Sequence, residues 1–428
     1  MALLGAIADD FTGATDLASM LVAHGMRSVQ LIGTPPAAFP PPEADALVIA
    51  LKTRTAPLEE AVAESLRALA YLKAQGVRQV FFKYCSTFDS TDRGNIGPVA
   101  DALLAALGAS FALACPAFPA NRRTLYLGHL FVGEALLNES GMENHPLTPM
   151  RDPNLVRVLS RQTTGRVGLV PYGVVREGAA SIRAAFARLA AEGYRYAIVD
   201  AIEEAHLMAI GEAAADHPLI TGGSGVAMGL PANFRRQGLL PPRLDAEALP
   251  AIEGANAVIA GSCSRATLGQ IAEAEREGLP VLRLDPLHFP SAEAMAEAAL
   301  AWARPLLGAR PVVIAASAPP DQVRAVQARL GTEAASALIE EALARTAEGL
   351  VAQGARRLVV AGGETSGAVV ARLGVQALRI GPAIDPGVPW TAASGRGPEL
   401  LLALKSGNFG APDFFRKAFA LLDAQRPA

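Results

Sequence analysis

The sequence predicts an α/β fold in two domains, each a mostly parallel sheet flanked by helices, with an interdomain cleft. Short apolar runs alternate with longer amphipathic runs along most of the chain, which is typical of repeated strand–helix–strand units. The 428 residues suffice for two to three domains of about 150 residues each. A proline-rich segment of mixed charge near residue 240 interrupts the alternation and predicts a linker.

The first half of the chain alternates between strand-like and helix-like runs from its beginning. Gly25 closes the first predicted helix, because glycine readily adopts the left-handed conformation that ends helices. Strands are predicted over 3–8, 28–32, 46–51, 80–84, 111–115, 167–170, 196–199 and 219–221. Helices are predicted over 12–24, 57–75, 96–107, 181–191 and 203–215. Residues 116–153 have little periodicity, and we expect an irregular segment there.

The alternation resumes after the segment 230–254, which contains four prolines and shows little periodicity. Strands are predicted over 257–260, 281–284, 312–315 and 357–360, and helices are predicted to end near residues 277, 354 and 373. We therefore expect an N-terminal domain over residues 1–235 and a C-terminal domain over residues 255–428. Residues 236–254 would join them as the linker.

Composition and charge narrow the class of protein. Lys and Arg number 38 and Asp and Glu number 41, so a net charge of -3 disfavours a protein that coats nucleic acid. No apolar run approaches the ~20 residues of a membrane span, and the first residues lack the features of a signal peptide. Cys85, Cys115 and Cys263 lie too far apart for a disulfide framework or a zinc cluster. We expect a cytoplasmic enzyme with no nucleic-acid or membrane partner.

Several common enzyme signatures are missing from the sequence. There is no Gly-x-x-x-x-Gly-Lys-Ser/Thr phosphate loop and no Gly-x-Ser-x-Gly elbow of a serine hydrolase. The Gly223-Ser224-Gly225 element is only part of a dinucleotide fingerprint, because its third glycine is absent. The six histidines show no spacing typical of a zinc site. A dehydrogenase, a serine hydrolase and a zinc enzyme are therefore disfavoured.

Loops rich in glycine and hydroxyl groups follow several predicted strands. Such loops offer backbone N–H groups and the positive end of a helix dipole to anions, although a single one also arises from a tight connection alone. They lie at 12–15 and 222–225 in the first domain and at 262–264, 362–367 and 406–410 in the second. Three such loops in the second domain predict a polyanionic ligand such as a nucleotide.

Polar residues of another kind follow the strands of the first domain. Carboxylates and amides form hydrogen bonds with hydroxyl groups, and cations pair with a carboxylate. This mixture is therefore suited to binding a polyhydroxylated acid. The residues are Asp9, Asp10, Lys52, Arg54, Lys83, Ser86, Thr87, Asp89, Ser90, Asn95, Asn121, Arg122 and Arg123. In the alternative interpretation, Asp9 or Asp10 only caps the next helix and the cations are solvated.

The chain resembles the four-carbon acid sugar kinase family at five places, in order and over nearly its whole length. The matching segments are IADDFTGATD over 7–16, KYCSTFDST over 83–91 with GNIG over 94–97, GSCS over 261–264, GGETS over 362–366 and KSGNFG over 405–410. Within the family, the segments 82–90 and 403–410 are most similar to the branch that acts on 3-oxo-tetronates. The segment 121–124 departs from the family pattern and makes Arg123, not Arg122, the aligned cation.

The resemblance implies an ATP-dependent kinase acting on the terminal C4 hydroxyl of 3-oxo-tetronate, with the acid on the N-terminal domain and ATP on the C-terminal domain. Asp9 or Asp10 is the candidate catalytic base, and Lys83 and Arg123 are candidates for the substrate carboxylate. The full substrate-binding set is Thr12, Lys52, Arg54, Lys83, Ser86, Thr87, Asp89 and Arg123. The ATP-binding set is Ser262, Ser264, Gly362, Gly363, Glu364, Thr365 and Gly407. Mg²⁺ is implied by ATP chemistry, and its ligands are not visible in the sequence.

Two other functions remain open at this point. One is a threonate or erythronate 4-kinase, whose substrate has a C3 hydroxyl in place of the ketone. The other is a two-domain solute-binding module that closes on an acidic sugar without chemistry, which would have no need of phosphate loops. The sequence also leaves open the configuration at C2, the choice between Asp9 and Asp10, and whether the chain forms a homodimer.

Overall fold

The computed structural model describes residues 2–37, 39–40 and 43–424 and divides the chain into two compact units, with the boundary between residues 247 and 248. Each unit is an α/β body whose mostly parallel sheet is flanked by helices, which confirms the predicted fold class. The boundary falls inside the segment 236–254 that the sequence predicts as the linker.

The sheet of the first unit consists of eight parallel strands in the order β2-β3-β1-β4-β11-β5-β10-β9. The strands described in this unit are β1 (Leu4–Ala8), β2 (Ser28–Ile32), β3 (Ala46–Ala50), β4 (Gln79–Lys83), β5 (Ala112–Cys115), β6 (Arg123–Tyr126), β7 (His129–Val132), β8 (Ala135–Leu136), β9 (Arg166–Val170), β10 (Tyr194–Val199) and β11 (Leu219–Gly222). The helices are α1 (Phe11–Ala23), α2 (Leu58–Ala74), α3 (Ile96–Leu107), α4 (Leu155–Gln162), α5 (Tyr172–Val175), α6 (Ala179–Ala191), α7 (Glu204–Ala213) and α8 (Leu230–Arg236).

The parallel register brings three strand ends together. Every residue of β1 is buried, as expected for a strand covered on both faces, and its last residue, Ala8, pairs with Ala50 of β3 and Lys83 of β4. The residues that follow these three strands therefore lie at one edge of the sheet. That edge is where ligands bind in open α/β folds.

The sheet of the second unit follows the order β13-β14-β12-β15-β18-β17-β16, and its first five strands are parallel. The two remaining strands run antiparallel. The strands are β12 (Ala255–Ala260), β13 (Val281–Arg283), β14 (Val312–Ala315), β15 (Ala355–Ala361), β16 (Val375–Asp385), β17 (Val388–Gly395) and β18 (Leu400–Lys405). The helices are α9 (Arg265–Arg276), α10 (Ala292–Ala303), α11 (Pro320–Leu330), α12 (Thr332–Ala352), α13 (Gly363–Arg372) and α14 (Phe414–Ala424).

Two expectations about irregular segments are wrong. Residues 116–153 contain the antiparallel sheet β6-β7-β8, whose strands of two to four residues are too short to show alternation. Residues 230–236, expected as part of a non-periodic segment, form helix α8. Pro231 lies in its first turn, where the missing N–H of proline breaks no helical hydrogen bond.

Several other elements were not predicted from the sequence. These are helices α4, α5, α10, α11 and α14 and strands β16, β17 and β18. Gly381, Pro382, Pro389 and Gly395 interrupt the long hairpin of β16 and β17, so its apolar pattern is broken, although Trp390 within it is fully buried. Within the described ranges, no helix has the length and apolar character needed to cross a membrane.

The glycine-rich turn after β11 is explained by close packing of backbone. A Cβ atom on Gly222 would lie 2.3 Å from the carbonyl oxygen of Cys115, and one on Gly223 would lie 2.6 Å from that of Pro116. Gly225 would meet Leu207 at 2.6 Å. These glycines let the end of β11 approach β5, and an anion-binding role is not needed to account for them.

We predict that Gly222→Ala lowers the free energy of unfolding by about 1–3 kcal/mol, because the new methyl group meets backbone that strand pairing holds in place. Gly173→Ala, on α5, is the control, because no atom lies within 4 Å of its added Cβ. Urea unfolding of both variants tests this. Equal losses in the two variants would contradict the packing explanation.

Candidate active site

In the first unit, one guanidinium group holds three carboxylates at the sheet edge. Arg54 donates two hydrogen bonds to Asp9, from Nε to Oδ2 at 3.0 Å and from Nη2 to Oδ1 at 2.8 Å. The same Nη2 lies 2.9 Å from Asp10 Oδ1, and Nη1 lies 3.6 Å from Asp89 Oδ2. These residues come from the ends of β1 and β3 and from the loop after β4. Arg54 therefore joins the three segments, which are far apart in sequence.

The two adjacent aspartates have different surroundings. Asp9 is 5% exposed, and both of its oxygens accept from Arg54. Burial raises the pKa of the Asp9 carboxyl, and Arg54 opposes this shift. Asp10 caps helix α1, because its Oδ1 accepts from the backbone N–H of Gly13 at 2.9 Å. The side chain of Asp10 is 31% exposed, and its bonds to Gly13 and Arg54 both use Oδ1.

The loop after β4 has an unusual backbone. Phe88 and Asp89 have φ angles of 66° and 46°, in the left-handed region that residues other than glycine rarely adopt. Phe88 is fully buried, and Thr87 donates to Asp89 Oδ1 at 2.6 Å. Packing and this hydrogen bond hold the strained turn and direct the Asp89 carboxylate to Arg54. Backbone strain of this kind concentrates at functional sites.

Most of the remaining predicted residues of the first unit lie at this edge of the sheet, and one lies elsewhere. Lys83 is buried, and a Cβ on Gly13 would lie 2.9 Å from its Nζ and 2.3 Å from Asp10 Oδ1, so the ammonium group lies beside the Asp10 cap. The structure also places Thr12, Lys52 and Ser86 directly after or within the segments that form this edge. Arg123 lies instead on β6 of the small antiparallel sheet, where it donates to the Asn121 carbonyl.

Cys85 lies in the same loop but is not an activated nucleophile. Burial raises the pKa of its thiol to about 11, and its Sγ lies 3.0 Å from Thr87 Oγ1. A thiol with so high a pKa is protonated at neutral pH and is a poor nucleophile. Asn95, which follows, donates to the carbonyls of Thr53 and Ala56 at 2.8 and 2.9 Å and so fixes the loop that carries Arg54.

In the second unit, three loops meet at the carboxyl edge of neighbouring parallel strands. Strands β12, β15 and β18 are adjacent, so the loops that follow them lie side by side. The Ser262 N–H donates to the Ala361 carbonyl, and the Gly362 N–H donates to the Lys405 carbonyl. The hydroxyl of Ser264 caps α9 and donates to the carbonyl of Gly407 at 2.6 Å. All seven predicted ATP-binding residues lie in these loops or in the first turn of α13.

The N-terminus of helix α13 offers unpaired backbone donors at this edge. The first N–H groups of a helix have no intrahelical acceptor, and no side chain caps α13 at Gly362. A Cβ on Gly363 would meet no atom within 4 Å, so the space above this residue is open. Glu364 and Thr365 complete the first turn, where Glu364 is exposed. This geometry is suited to binding phosphate oxygens through backbone N–H groups.

Three residues that the sequence analysis did not select hold the third loop in place. The Gly407 carbonyl accepts from Thr267 Oγ1 at 2.9 Å and from Lys405 Nζ at 3.2 Å. Gln270 Nε2 donates to the carbonyls of Phe409 and Gly410, both at 3.0 Å. Thr267 and Gln270 face this loop from one side of α9. Only their i, i+3 spacing after the GSCS segment could have indicated them.

Lys405 is a buried cation at the base of this loop. Its side chain is 1% exposed, and its ammonium group donates to the Thr267 hydroxyl and the Gly407 carbonyl. Burial lowers the pKa of Lys405 to about 8. The ammonium group therefore fixes a glycine carbonyl at the cost of desolvation.

The family comparisons agree with this division into two clusters. Residues 4–230 match a family model described as a sugar-binding N-terminal domain, and residues 257–415 match one described as a nucleotide-binding C-terminal domain. The fold and the two clusters thus define a protein that couples a sugar-binding domain to a nucleotide-binding domain.

Curated relatives extend over almost the whole chain. A 3-oxo-tetronate kinase of Cupriavidus necator is 61% identical over 98% of this chain and 97% of its own length. One of Burkholderia multivorans has the same identity and coverage, and one of Salmonella typhimurium is 47% identical over 98% of this chain and 99% of its own. The chain belongs to the four-carbon acid sugar kinase family, as the resemblance predicted.

Solved structures have the same fold. A crystal structure of a Salmonella typhimurium LT2 protein has a TM-score of 0.90 at 46% identity and covers 100% of this chain and 99% of its own. A Haemophilus influenzae protein has a TM-score of 0.87 at 44% identity and covers 98% of this chain and 100% of its own.

We predict that Arg54→Met lowers the free energy of unfolding by about 3–5 kcal/mol, because it leaves the buried Asp9 carboxylate without its counter-charge. The double variant with Asp9→Asn should lose less than the sum of the two single losses, since no unpaired charge remains at Asp9. Urea unfolding of the two single variants and the double variant measures this coupling. Strictly additive losses would show that the pair is not coupled.

We predict that the free energy of unfolding of the wild type rises between about pH 8 and pH 10 relative to that of Lys405→Met. Above pH 8 the folded Lys405 has released its proton, whereas the lysine of an unfolded chain keeps it to about pH 10.4, so unfolding takes up a proton. Lys73→Met, which removes an exposed lysine, should keep the wild-type pH dependence. Parallel stability profiles for wild type and Lys405→Met would refute this assignment.

Proposed function

We propose that this chain transfers the γ-phosphoryl group of ATP to the terminal C4 hydroxyl of 3-oxo-tetronate. The observation that carries this proposal is the 61% identity, over nearly the full chain, to relatives named 3-oxo-tetronate kinase. The two clusters supply the parts that such a reaction needs. A carboxylate-rich edge in the sugar-binding unit can bind hydroxyl groups, and uncapped backbone N–H groups in the nucleotide-binding unit can bind phosphates.

Asp10 is the better placed of the two aspartates to accept the proton of the hydroxyl. A proton acceptor needs an oxygen that the substrate can reach and that other donors have not occupied. Both oxygens of Asp9 are held by Arg54 in a buried position, whereas the bonds of Asp10 to Gly13 and Arg54 use only Oδ1. We therefore assign proton acceptance to Asp10 Oδ2. Asp9 acts through Arg54, which it orients.

The nucleotide would lie over the loops of the second unit. The N–H groups at the start of α13 would bind phosphate oxygens, and Ser262 and Gly407 would line the neighbouring loops. Mg²⁺, which ATP chemistry implies, usually binds through nucleotide phosphates, water and one or two carboxylates. Over residues 2–37, 39–40 and 43–424, no group of three or more His, Cys, Asp or Glu side chains could hold a metal. We therefore propose that the nucleotide phosphates and water supply most of the Mg²⁺ ligands.

We further propose that the reaction takes place in the cytoplasm, which supplies ATP and keeps cysteines reduced. Cys85, Cys115 and Cys263 are all free thiols.

A coupled assay of ADP release over a panel of four-carbon acids tests the proposed function. The panel contains 3-oxo-tetronate, D-threonate and D-erythronate, each at matched concentration with ATP and Mg²⁺. We expect the highest kcat/KM for the 3-oxo acid. A higher value for threonate or erythronate would assign the chain to a 4-kinase for the reduced acid, and no turnover of any acid would remove the proposal.

We predict that Asp10→Asn lowers kcat by about 10²–10⁴-fold, because asparagine cannot accept the hydroxyl proton. The fold should change little, since asparagine also caps helices well. Asp9→Asn should lower the free energy of unfolding more than Asp10→Asn and lower kcat less. Steady-state kinetics with thermal unfolding separate the two effects, and near wild-type turnover in Asp10→Asn would leave that residue only its capping role.

A further inference from the structure

One cavity in the first unit is lined by several arginine side chains. Its volume is about 630 Å³, and it lies between the loop after β4 and the segment that leads into α4. Arg93, Arg151, Arg157 and Arg161 line it, together with Asp92 and Asp152. Four guanidinium groups against two carboxylates leave two positive charges in excess.

The two carboxylates are used by two of the four arginines. Arg157 donates to Asp152 from Nε at 2.9 Å and from Nη2 at 2.6 Å, and Arg161 lies 3.0 Å from Asp92 and 3.5 Å from Asp152. Arg93 and Arg151 form no ion pair with any residue in the described ranges. The excess positive charge of the cavity therefore resides on Arg93 and Arg151.

The cavity adjoins the Arg54 cluster. Ser90 lines both this cavity and the small cavity beside Asp9, Arg54 and Asp89. The Ser90 hydroxyl accepts from Gln162 Nε2 at 3.0 Å, which anchors the residue to α4. Ser90 thus lies between a region with positive charge in excess and the cluster that contains the candidate base.

The charge in the two regions is opposite in sign. Around Arg54 there are three carboxylates, and Arg54 and Lys83 are the cations described there, so one negative charge is in excess. A substrate carboxylate would be repelled from that cluster and attracted to the arginine cavity. A hydroxyl group carries no charge and can donate to the carboxylates. An acid with a hydroxyl group at its other end would therefore take one orientation.

We propose that Arg93 and Arg151 bind the carboxylate of the four-carbon acid, and that this contact directs the terminal hydroxyl toward the carboxylates around Arg54. The inference rests on the proposed function for the class of substrate, but it concerns binding and can be measured without turnover. Guanidinium groups are well suited to this role, because they bind carboxylates through two parallel N–H donors. Lys83 and Arg123, the cations that the sequence suggested for the carboxylate, have no such position in this cavity.

Calorimetric titration with D-threonate as the probe, in the absence of ATP, tests the proposal on the full chain. Arg93→Gln and Arg151→Gln should each raise the Kd of D-threonate by about 10-fold, and the double variant by about 100-fold. Arg188→Gln is the matched control, because Arg188 is an exposed arginine of α6 in the same unit that does not line the cavity. Its Kd should equal that of the wild type.

A neutral analogue separates charge recognition from general damage to the site. Erythrulose has a hydroxymethyl group where 3-oxo-tetronate has a carboxylate. Its kcat/KM should therefore be low in the wild type and unchanged in the two arginine variants. The KM for ATP should also stay unchanged.

The outcomes distinguish this inference from the proposed function. Unchanged Kd values for D-threonate in the Arg93 and Arg151 variants, or a wild type that binds no D-threonate, would overturn the inference. A wild type that binds D-threonate through these arginines but phosphorylates no acid would overturn only the proposed kinase function and would support the carboxylate site.

Discussion

The parallel register of neighbouring strands is the constraint on which both clusters depend. Ala8 pairs with Ala50 and Lys83 in the first unit, and β15 pairs in parallel with β12 and β18 in the second. Parallel pairing brings the carboxyl ends of consecutive crossover units to one edge. Residues as far apart in sequence as Ser264 and Gly407, which are 143 positions apart, therefore come within hydrogen-bonding distance. A shift of one residue in either register would turn the side chains of strand residues such as Lys83 and Lys405 to the other face of the sheet.

The first unit uses this edge to separate two roles that the adjacent aspartates could otherwise share. Arg54 binds both oxygens of Asp9 and one oxygen of Asp10, so the buried carboxylate orients the guanidinium group. The capping bond from Gly13 then fixes Asp10 against the start of α1. The proposed catalytic role and the capping role of Asp10 are thus compatible, because one carboxylate has two oxygens and the cap uses only one of them.

The second unit stabilises its edge mainly with bonds to backbone carbonyls. Ser264, Thr267 and Lys405 all donate to the carbonyl of Gly407, and Gln270 holds the residues that follow. These hydrogen bonds from the protein itself hold the loop at its carbonyl groups. The N–H groups at the start of α13 have no side-chain cap, so the donors of this edge are available to an anion.

The sequence by itself determined the α/β fold class, most strand and helix positions, the family, and the loops at which the chemistry lies. Those features depend on local periodicity, on glycine and hydroxyl residues after strands, and on short segments of specific sequence. The tertiary structure decided the rest. The three-stranded sheet over 123–136 has strands too short to show a pattern, and α8 has a proline in its first turn that suggests the end of a helix. The arginine cavity brings together residues near 92 and 151, and Arg54 joins Asp9 to Asp89. These contacts could not be predicted from the sequence, because they depend on strand order and side-chain packing, which local sequence does not encode.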